Sequence, residues 1–288
     1  MKIAVIGDVH GFWNHKDTTY FNESDYDALF FVGDLKGGTQ KSLNTIIPFL
    51  QNLSKPVYFS YGNWDTTNLI QMAGEIWHNP FFARIGSLSH NKRIHKFQEQ
   101  LPNFHLGMFN LFSLKEFDLI IGRPFSAGGP ISFVPILKQL FNIQTLEDSF
   151  ARYKAIIDKS ANENLAFLTH NGPFGLGAKA TDIYGCDFLK EEGDWGDKDL
   201  QDAISYAKSK GKKVLFVASG HMHHRNPKTK QIRKWLEFLD NTYYANAANV
   251  PRIRKAKKDG TSSHHHIGID LTDLKNIKIQ EIWIQIKN

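Results

Sequence analysis

Seven polar residues of this 288-residue chain follow short apolar runs and share one kind of chemistry: Asp8, His10, Asp34, Asn63, His170, His221 and His223. Carboxylate and amide oxygens mixed with imidazole nitrogens suit first-row divalent metals such as Mn, Fe, Co or Zn better than calcium or a soft-metal site. Seven donors exceed what one ion requires; with one bridging group they suit two. The pairs Asp8/His10 and His221/His223 are spaced i, i+2. In a loop just past a strand, that spacing lets both side chains converge at the carboxyl edge of an open α/β sheet.

The elements that must position these residues are legible around them. KIAVIG (2–7) and DALFFVG (27–33) are apolar runs that each deliver an aspartate, the pattern of buried strands. Leu43, Ile46, Ile47, Leu50 and Leu53 fall at helical spacing, and Val57 to Tyr61 reads as the next strand, giving β-α-β order. The rhythm resumes with LAFLTH (165–170), a helix near 197–210 and VLFVASGHMHH (214–224). Between about 78 and 160 aromatics are scattered among basic residues, which predicts an insertion or cap within a single domain spanning 1–288. TYYANAANV, HHHIGIDL and IKIQEIWIQI alternate as late strands; Ile277 and Ile279 are out of phase with Ile282, Ile284 and Ile286, which predicts a bulge near Gln280 and Glu281.

Composition narrows the setting. Hydrophobic residues make up 41% and charged residues 22%, ordinary for a globular protein, and the net charge of +6 favours anionic substrates without indicating a nucleic-acid binder. A lone cysteine, Cys186, excludes an intramolecular disulfide and fits a reducing compartment. No apolar stretch reaches the roughly 18 residues a membrane span needs. The chain opens directly on a strand-like run, so the expected location is cytoplasmic.

In order, Asp8-x-His10, Gly33-Asp34, Gly62-Asn63-Trp64-Asp65, His170 and Gly220-His221-x-His223 resemble the calcineurin-like metallophosphoesterase superfamily, whose pattern is DxH, GD, GNH[DE], H and GHxH. The resemblance implies a four-layer αββα sandwich. It implies one metal on Asp8, His10, Asp34 and His223, and a second on Asp34, Asn63, His170 and His221, with Asp34 bridging. A metal-bridging hydroxide would then attack phosphorus in line. The expected substrate is a small phosphorylated metabolite or nucleotide. Alternatives are a nuclease or phosphodiesterase acting on nucleic acid, since nucleases occur in the superfamily, and a metal-bound interaction scaffold. From TYYANAANVPRI onward the chain also resembles a cyanobacterial and plastid branch of the superfamily.

The chain departs from the pattern at Trp64, where many members carry a histidine that stabilises the transition state or protonates the leaving group. An indole donates a hydrogen bond but cannot transfer a proton at ordinary pH. Metal binding by Asn63 is untouched, and the departure points to another acid, a leaving group that needs little protonation, or a substrate stacked on the ring. Asp65 and Asn63 remain catalytic candidates, Asp65 as a residue that holds the loop or orients a water, and His15, His224 and Arg225 are candidate replacement donors. Arg123, in RPFSAGGP (123–130), is a further catalytic candidate because a Gly-rich turn and a guanidinium can hold phosphate. Asn171 adjoins a predicted ligand. KSKGKK (208–213), RNPKTKQIRK (225–234) and RIRKAKK (252–258) are basic runs of the kind that mark solvated faces. His264, His265 and His266 read as surface decoration or as support around the metal site.

Overall fold

In the computed structural model, residues 1–77, 79–128, 135–188, 193–226, 230–255 and 260–287 are described. Two sheets form the centre. The first runs β11 (Ile253–Lys255), β12 (Thr261–Asp270), β1 (Lys2–Ile6), β2 (Ala28–Phe31), β3 (Val57–Ser60) and β4 (Phe104–Gly107), with β13 (Lys278–Lys287) also on β12. The second runs β5 (Asn110–Ser113), β6 (Asp118–Ile121), β7 (Asn164–Leu168), β8 (Lys213–Ser219), β10 (Thr242–Asn246) and β9 (Leu236–Leu239). β1 to β4 are parallel to one another, as are β6, β7, β8 and β10, so every early strand delivers its carboxyl end to the same side of its sheet.

Alternation along these strands fixes the layers. Ile3, Val5, Phe30 and Val32 of one sheet share a buried cluster with Leu119, Ile121, Ala166, Leu168 and Ala218 of the other, which places it between the sheets. The opposite phase, Ala4, Ile6, Leu29 and Phe31, packs with Phe21 of α1 (His15–Glu23) and Leu43, Ile46, Ile47 and Leu50 of α2 (Gln40–Leu50). On the far side Ile120, Leu165 and Phe167 pack with Tyr153 and Ile157 of α7 (Leu146–Ile157) and with Leu200, Ala203 and Ile204 of α8 (Lys198–Ser209). Strands covered on both faces read as continuous apolar runs. The result is the expected α/β/β/α sandwich.

Within 78–160, the range read as an insertion or cap built into the domain, the strands are shared with the sandwich: β4 extends the first sheet, β5 and β6 begin the second, and Leu146–Ile157 packs beside Lys198–Ser209. These strands have only four residues each, too few to display a period among scattered aromatics. Two expectations change. The bulge near Gln280 and Glu281 is absent. β13 pairs with β12 in unbroken register from Lys278 to Lys287, because its two faces are simply apolar at different ends. His264, His265 and His266 are not surface decoration: they lie in β12, covered on both faces, and are at most 1% exposed. Among the described residues no helix is long and apolar enough to cross a membrane.

Candidate metal centre

The seven predicted donors come together across the carboxyl ends of both sheets. Asp8 and His10 follow β1, Asp34 follows β2, Asn63 follows β3, His170 follows β7, and His221 and His223 follow β8. Asp8, His10, Asp34 and His221 all hold left-handed backbone, with φ of 32°, 45°, 53° and 63°. Non-glycine residues rarely adopt this conformation, and where they do the surrounding structure must hold them there. Two glycines admit the approach: a Cβ on Gly62 would stand 2.2 Å from Asp34 Oδ1, and one on Gly220 would stand 2.2 Å from Asp8 Oδ1.

Donor atoms converge at short separations. Asp8 Oδ2 is buried and has no hydrogen-bond partner among the described residues, yet lies 3.2 Å from His223 Nε2 and 3.8 Å from His10 Nε2. Those two imidazole nitrogens are 3.3 Å apart. Asp34 Oδ2 is 3.9 Å from His10 Nε2 and 3.6 Å from His170 Nε2, so it stands between the two halves of the cluster. On the second side His170 Nε2 is 2.9 Å from Asn63 Oδ1, and the His170 and His221 rings are 5.0 Å apart. A buried carboxylate oxygen without a donor, faced by imidazole nitrogens, is costly unless a cation completes it. The donor set therefore fits hard-to-borderline divalent ions.

Neighbouring groups aim the ligands. His170 Nδ1 donates to the Val32 carbonyl at 2.7 Å and His221 Nε2 to the Ala127 carbonyl at 2.9 Å, which fixes each ring and its tautomer. Trp64 N–H donates to Asp34 Oδ1 at 2.8 Å, and His221 N–H to Asp8 Oδ1 at 3.0 Å. Burial, together with the charge of His170, pushes His221 down to about 3, so its ring is neutral. Burial also pulls on His170, but the Asp34 and Asp8 carboxylates outweigh it and hold this ring above the ordinary imidazole value. Burial opposes ionisation of Asp8, while His223, His170 and His10 hold its carboxyl well below the usual range.

Two of the expected catalytic side chains serve elsewhere. Asp65 accepts from the amides of Asp34 (3.0 Å), Leu35 (2.7 Å) and Gly62 (2.7 Å), so both oxygens are used in clamping the Asp34 loop to the Asn63 loop. It is a positioning residue. Arg123 is buried, with Nε 2.8 Å from Asp199 Oδ2 and Nη2 3.0 Å from Asp197 Oδ1. That guanidinium is consumed by structure and does not grip phosphate. Sequence offers no hint of this, because the acidic partners lie 74 and 76 positions away.

The rest of RPFSAGGP also turns inward. Gly128 N–H donates to Ser126 Oγ at 3.1 Å, Ser126 Oγ to Asp197 at 2.8 Å, and Trp195 Nε1 to the Ala127 carbonyl at 2.8 Å; Gly129 and Pro130 lie outside the described residues. The loop thus supports the carbonyl that orients His221. Asn171 donates to Trp195 O at 2.8 Å and braces the same segment.

A cavity of about 300 Å³ opens beside the donors. His10, Asp34, His221 and His223 border it, with Trp64, Phe188, Met222, Asp187, Arg225 and Arg233 as walls. Of the three replacement donors only Arg225 reaches it. His15 packs beside Phe49 on α1, and His224 is buried against the Asn246 carbonyl. Phe188 and Asp187 were invisible in sequence, since nothing in GCDF marks a wall.

The basic runs are dispersed. Arg252 pairs with Asp17, Arg254 lies over Trp283, and Arg233 pairs with Asp187; residues 227–229 and 256–258 of these runs lie outside the described residues.

A family model described as calcineurin-like phosphoesterase matches residues 1–225, from the first residue to just past the last donor. A search of curated proteins finds no match. Among solved structures, a dimetal phosphatase from Danio rerio covers 100% of this chain and 98% of its own at 11% identity and a TM-score of 0.54. A second solved structure covers 97% of this chain and 98% of its own at 14% identity and a TM-score of 0.53. A novel archaeal phosphodiesterase covers 99% of this chain and 100% of its own at 13% identity, with a TM-score of 0.43. At these identities the first two likenesses speak to the fold alone.

Proposed function

The chain belongs to the calcineurin-like phosphoesterase family of metal-dependent phosphoric ester hydrolases, and from that premise we propose that it hydrolyses a small phosphorylated metabolite or nucleotide. The observation that carries this reading is the convergence of these donors at the mouth of a 300 Å³ cavity walled by Trp64, Phe188 and Arg225. Asp8, His10, Asp34 and His223 would hold one divalent ion and Asp34, Asn63, His170 and His221 the other, with Asp34 common to both sets. When bound, such ions supply Lewis acidity to the phosphoryl oxygens and acidify the water that attacks phosphorus.

The chain's own residues do the rest. Val32 O and Ala127 O keep the His170 and His221 rings correctly turned. Asp65 keeps two ligand loops in register, which matters because ligand misplacement of an ångström costs rate steeply. Arg225 faces the cavity as a cation for a substrate anion, and Trp64 and Phe188 offer aromatic faces to a base or other planar group. Trp64 holds Asp34 through its backbone while its indole contributes no transferable proton. The reaction we assign therefore favours leaving groups that depart with little protonation.

Lys208, Lys212 and Lys213 gather near the start of β8, whereas His221 follows its end. A strand of that length separates them by roughly 20 Å. A basic groove leading to the donors is therefore not supplied by KSKGKK, and this favours a small substrate over nucleic acid. The lone Cys186 is buried, in keeping with the reducing, cytoplasmic setting we assign.

The test is a panel of phosphorylated metabolites and nucleotides with Mn²⁺, run on the parent and on Trp64→His. Turnover of small substrates, with Trp64→His gaining only on poor leaving groups, is expected. Cleavage confined to DNA or RNA, or no turnover on the whole panel with partner binding insensitive to Asp34→Asn, would overturn the reading in favour of a nuclease or a scaffold.

A further inference from the structure

His224 follows the last ligand of the motif but does not border the cavity. Its Nε2 lies 2.7 Å from the Asn246 carbonyl oxygen. A carbonyl only accepts, so Nε2 carries the proton and Nδ1 of the neutral ring presents a lone pair. That lone pair faces a carboxylate: Nδ1 is 3.9 Å from Glu281 Oε1. The same oxygen is 3.0 Å from His265 Nε2. His265 is 1% exposed, and among the described residues neither of its ring nitrogens has a hydrogen bond of acceptable geometry. One donor atom from each of the three residues falls within 4.8 Å of the others.

His224 Nδ1 offers a lone pair, Glu281 Oε1 a carboxylate oxygen, and His265 Nε2, 3.0 Å from that oxygen but outside hydrogen-bond geometry, faces the same volume, an arrangement that a cation completes. We propose that His224 Nδ1, His265 Nε2 and Glu281 Oε1 form a further site for one first-row divalent ion of the zinc type, separate from the hydrolytic centre. Two imidazoles and a carboxylate are a donor set for such an ion, with Glu281 on a partly exposed side where water completes the coordination. Outer partners are in place: the Asn246 carbonyl orients His224, and Asn249 Nδ2 donates to Glu281 Oε1 at 2.9 Å. His265 and Glu281 lie beyond residue 225, outside the family match, so two of the three donors come from this chain's late strands. Its ion joins β12 and β13 to the loop that carries His221 and His223, tying the far sheet edge to the hydrolytic ligands.

The test counts metal. The full chain is stripped with chelator, reloaded with Zn²⁺, freed of excess and measured by inductively coupled plasma mass spectrometry, with circular dichroism as the check on folding. Glu281→Gln and His265→Gln are each expected to bind one equivalent fewer than their parent, both in the natural sequence and in an Asp34→Asn background. Equal counts in parent and variants would overturn the site. Glu281, at the partly exposed edge, keeps the test decisive if His265→Gln fails to fold. Failure of the hydrolytic reading registers separately, as absent Mn²⁺-dependent turnover whatever the count.

Discussion

Two regions of this chain gather histidines against a buried aspartate, and they are built for opposite ends. Around Asp8, imidazole nitrogens of His10 and His223 crowd an oxygen that has no hydrogen-bond partner among the described residues, on left-handed backbone and beside a cavity. Around Asp17, every principal partner is in place. Oδ1 accepts from Arg252 Nη1 at 2.9 Å and His264 Nδ1 at 2.7 Å, His264 Nε2 meets Ser262 Oγ at 2.9 Å, and Arg252 lies over the Trp13 ring. One arrangement leaves its charge for a ligand; the other neutralises it internally. Residue type alone does not separate a reactive site from a structural one. The decisive feature is whether the converging atoms satisfy each other.

That contrast can be broken most sharply beside the two aspartates, at Asp34 in the first region and Arg252 in the second. Asp34→Asn is expected to lower Mn²⁺-dependent phosphoester turnover by about 1,000-fold or more, near 4 kcal/mol of transition-state stabilisation. In chelated protein it should leave the thermal midpoint unchanged or raised, because an uncompensated buried charge has been removed. Arg252→Met should do the reverse. It leaves Asp17 buried without its cation, costs about 3–5 kcal/mol of folding stability in urea titration, and leaves turnover per folded molecule unaltered. Asp65→Ala lies between the regions, touching no substrate but unfastening two ligand loops, and a 10–100-fold fall in metal affinity or activity is expected.

The smallest effect is one of pH. Burial holds His266 down to about 3, and its Nε2 pairs with Tyr26 OH at 2.8 Å. Its folded value lies below its unfolded one, so the unfolded chain takes up a proton that the folded chain refuses. Stability is therefore complete above about pH 6.5 and declines as pH falls toward 3, by about 1.4 kcal/mol per pH unit for this group. His266→Gln should flatten the measured slope of unfolding free energy against pH by that amount.

The convergence of Asp8, Asp34, Asn63 and His221 was legible because each follows the point where an apolar run stops, at a strand end. The sandwich was legible for the same reason. The misreadings share a cause in long-range partnership. Arg123 is ordinary until Asp197 and Asp199 arrive beside it, and the His264–His266 run has the polarity of a surface until β11, β13, β1 and α1 enclose it. The short strands β4 to β6 gain their meaning only from the sheets they join. Asp65 is legible as a loop-holding residue of its motif, but which amides it holds is not, because they belong to loops some 30 positions apart in sequence.

Whether the donors converging at the sheet edge form a hydrolytic metal centre is asked directly by one titration. Chelator-stripped chain is supplied with increasing Mn²⁺ while hydrolysis of bis(p-nitrophenyl) phosphate and p-nitrophenyl phosphate is followed, alongside Asp34→Asn. The predicted result is turnover that rises with Mn²⁺, disappears on chelation and is missing from Asp34→Asn. A parent chain that no divalent ion activates, or an Asp34→Asn chain that hydrolyses as fast as the parent, would contradict it.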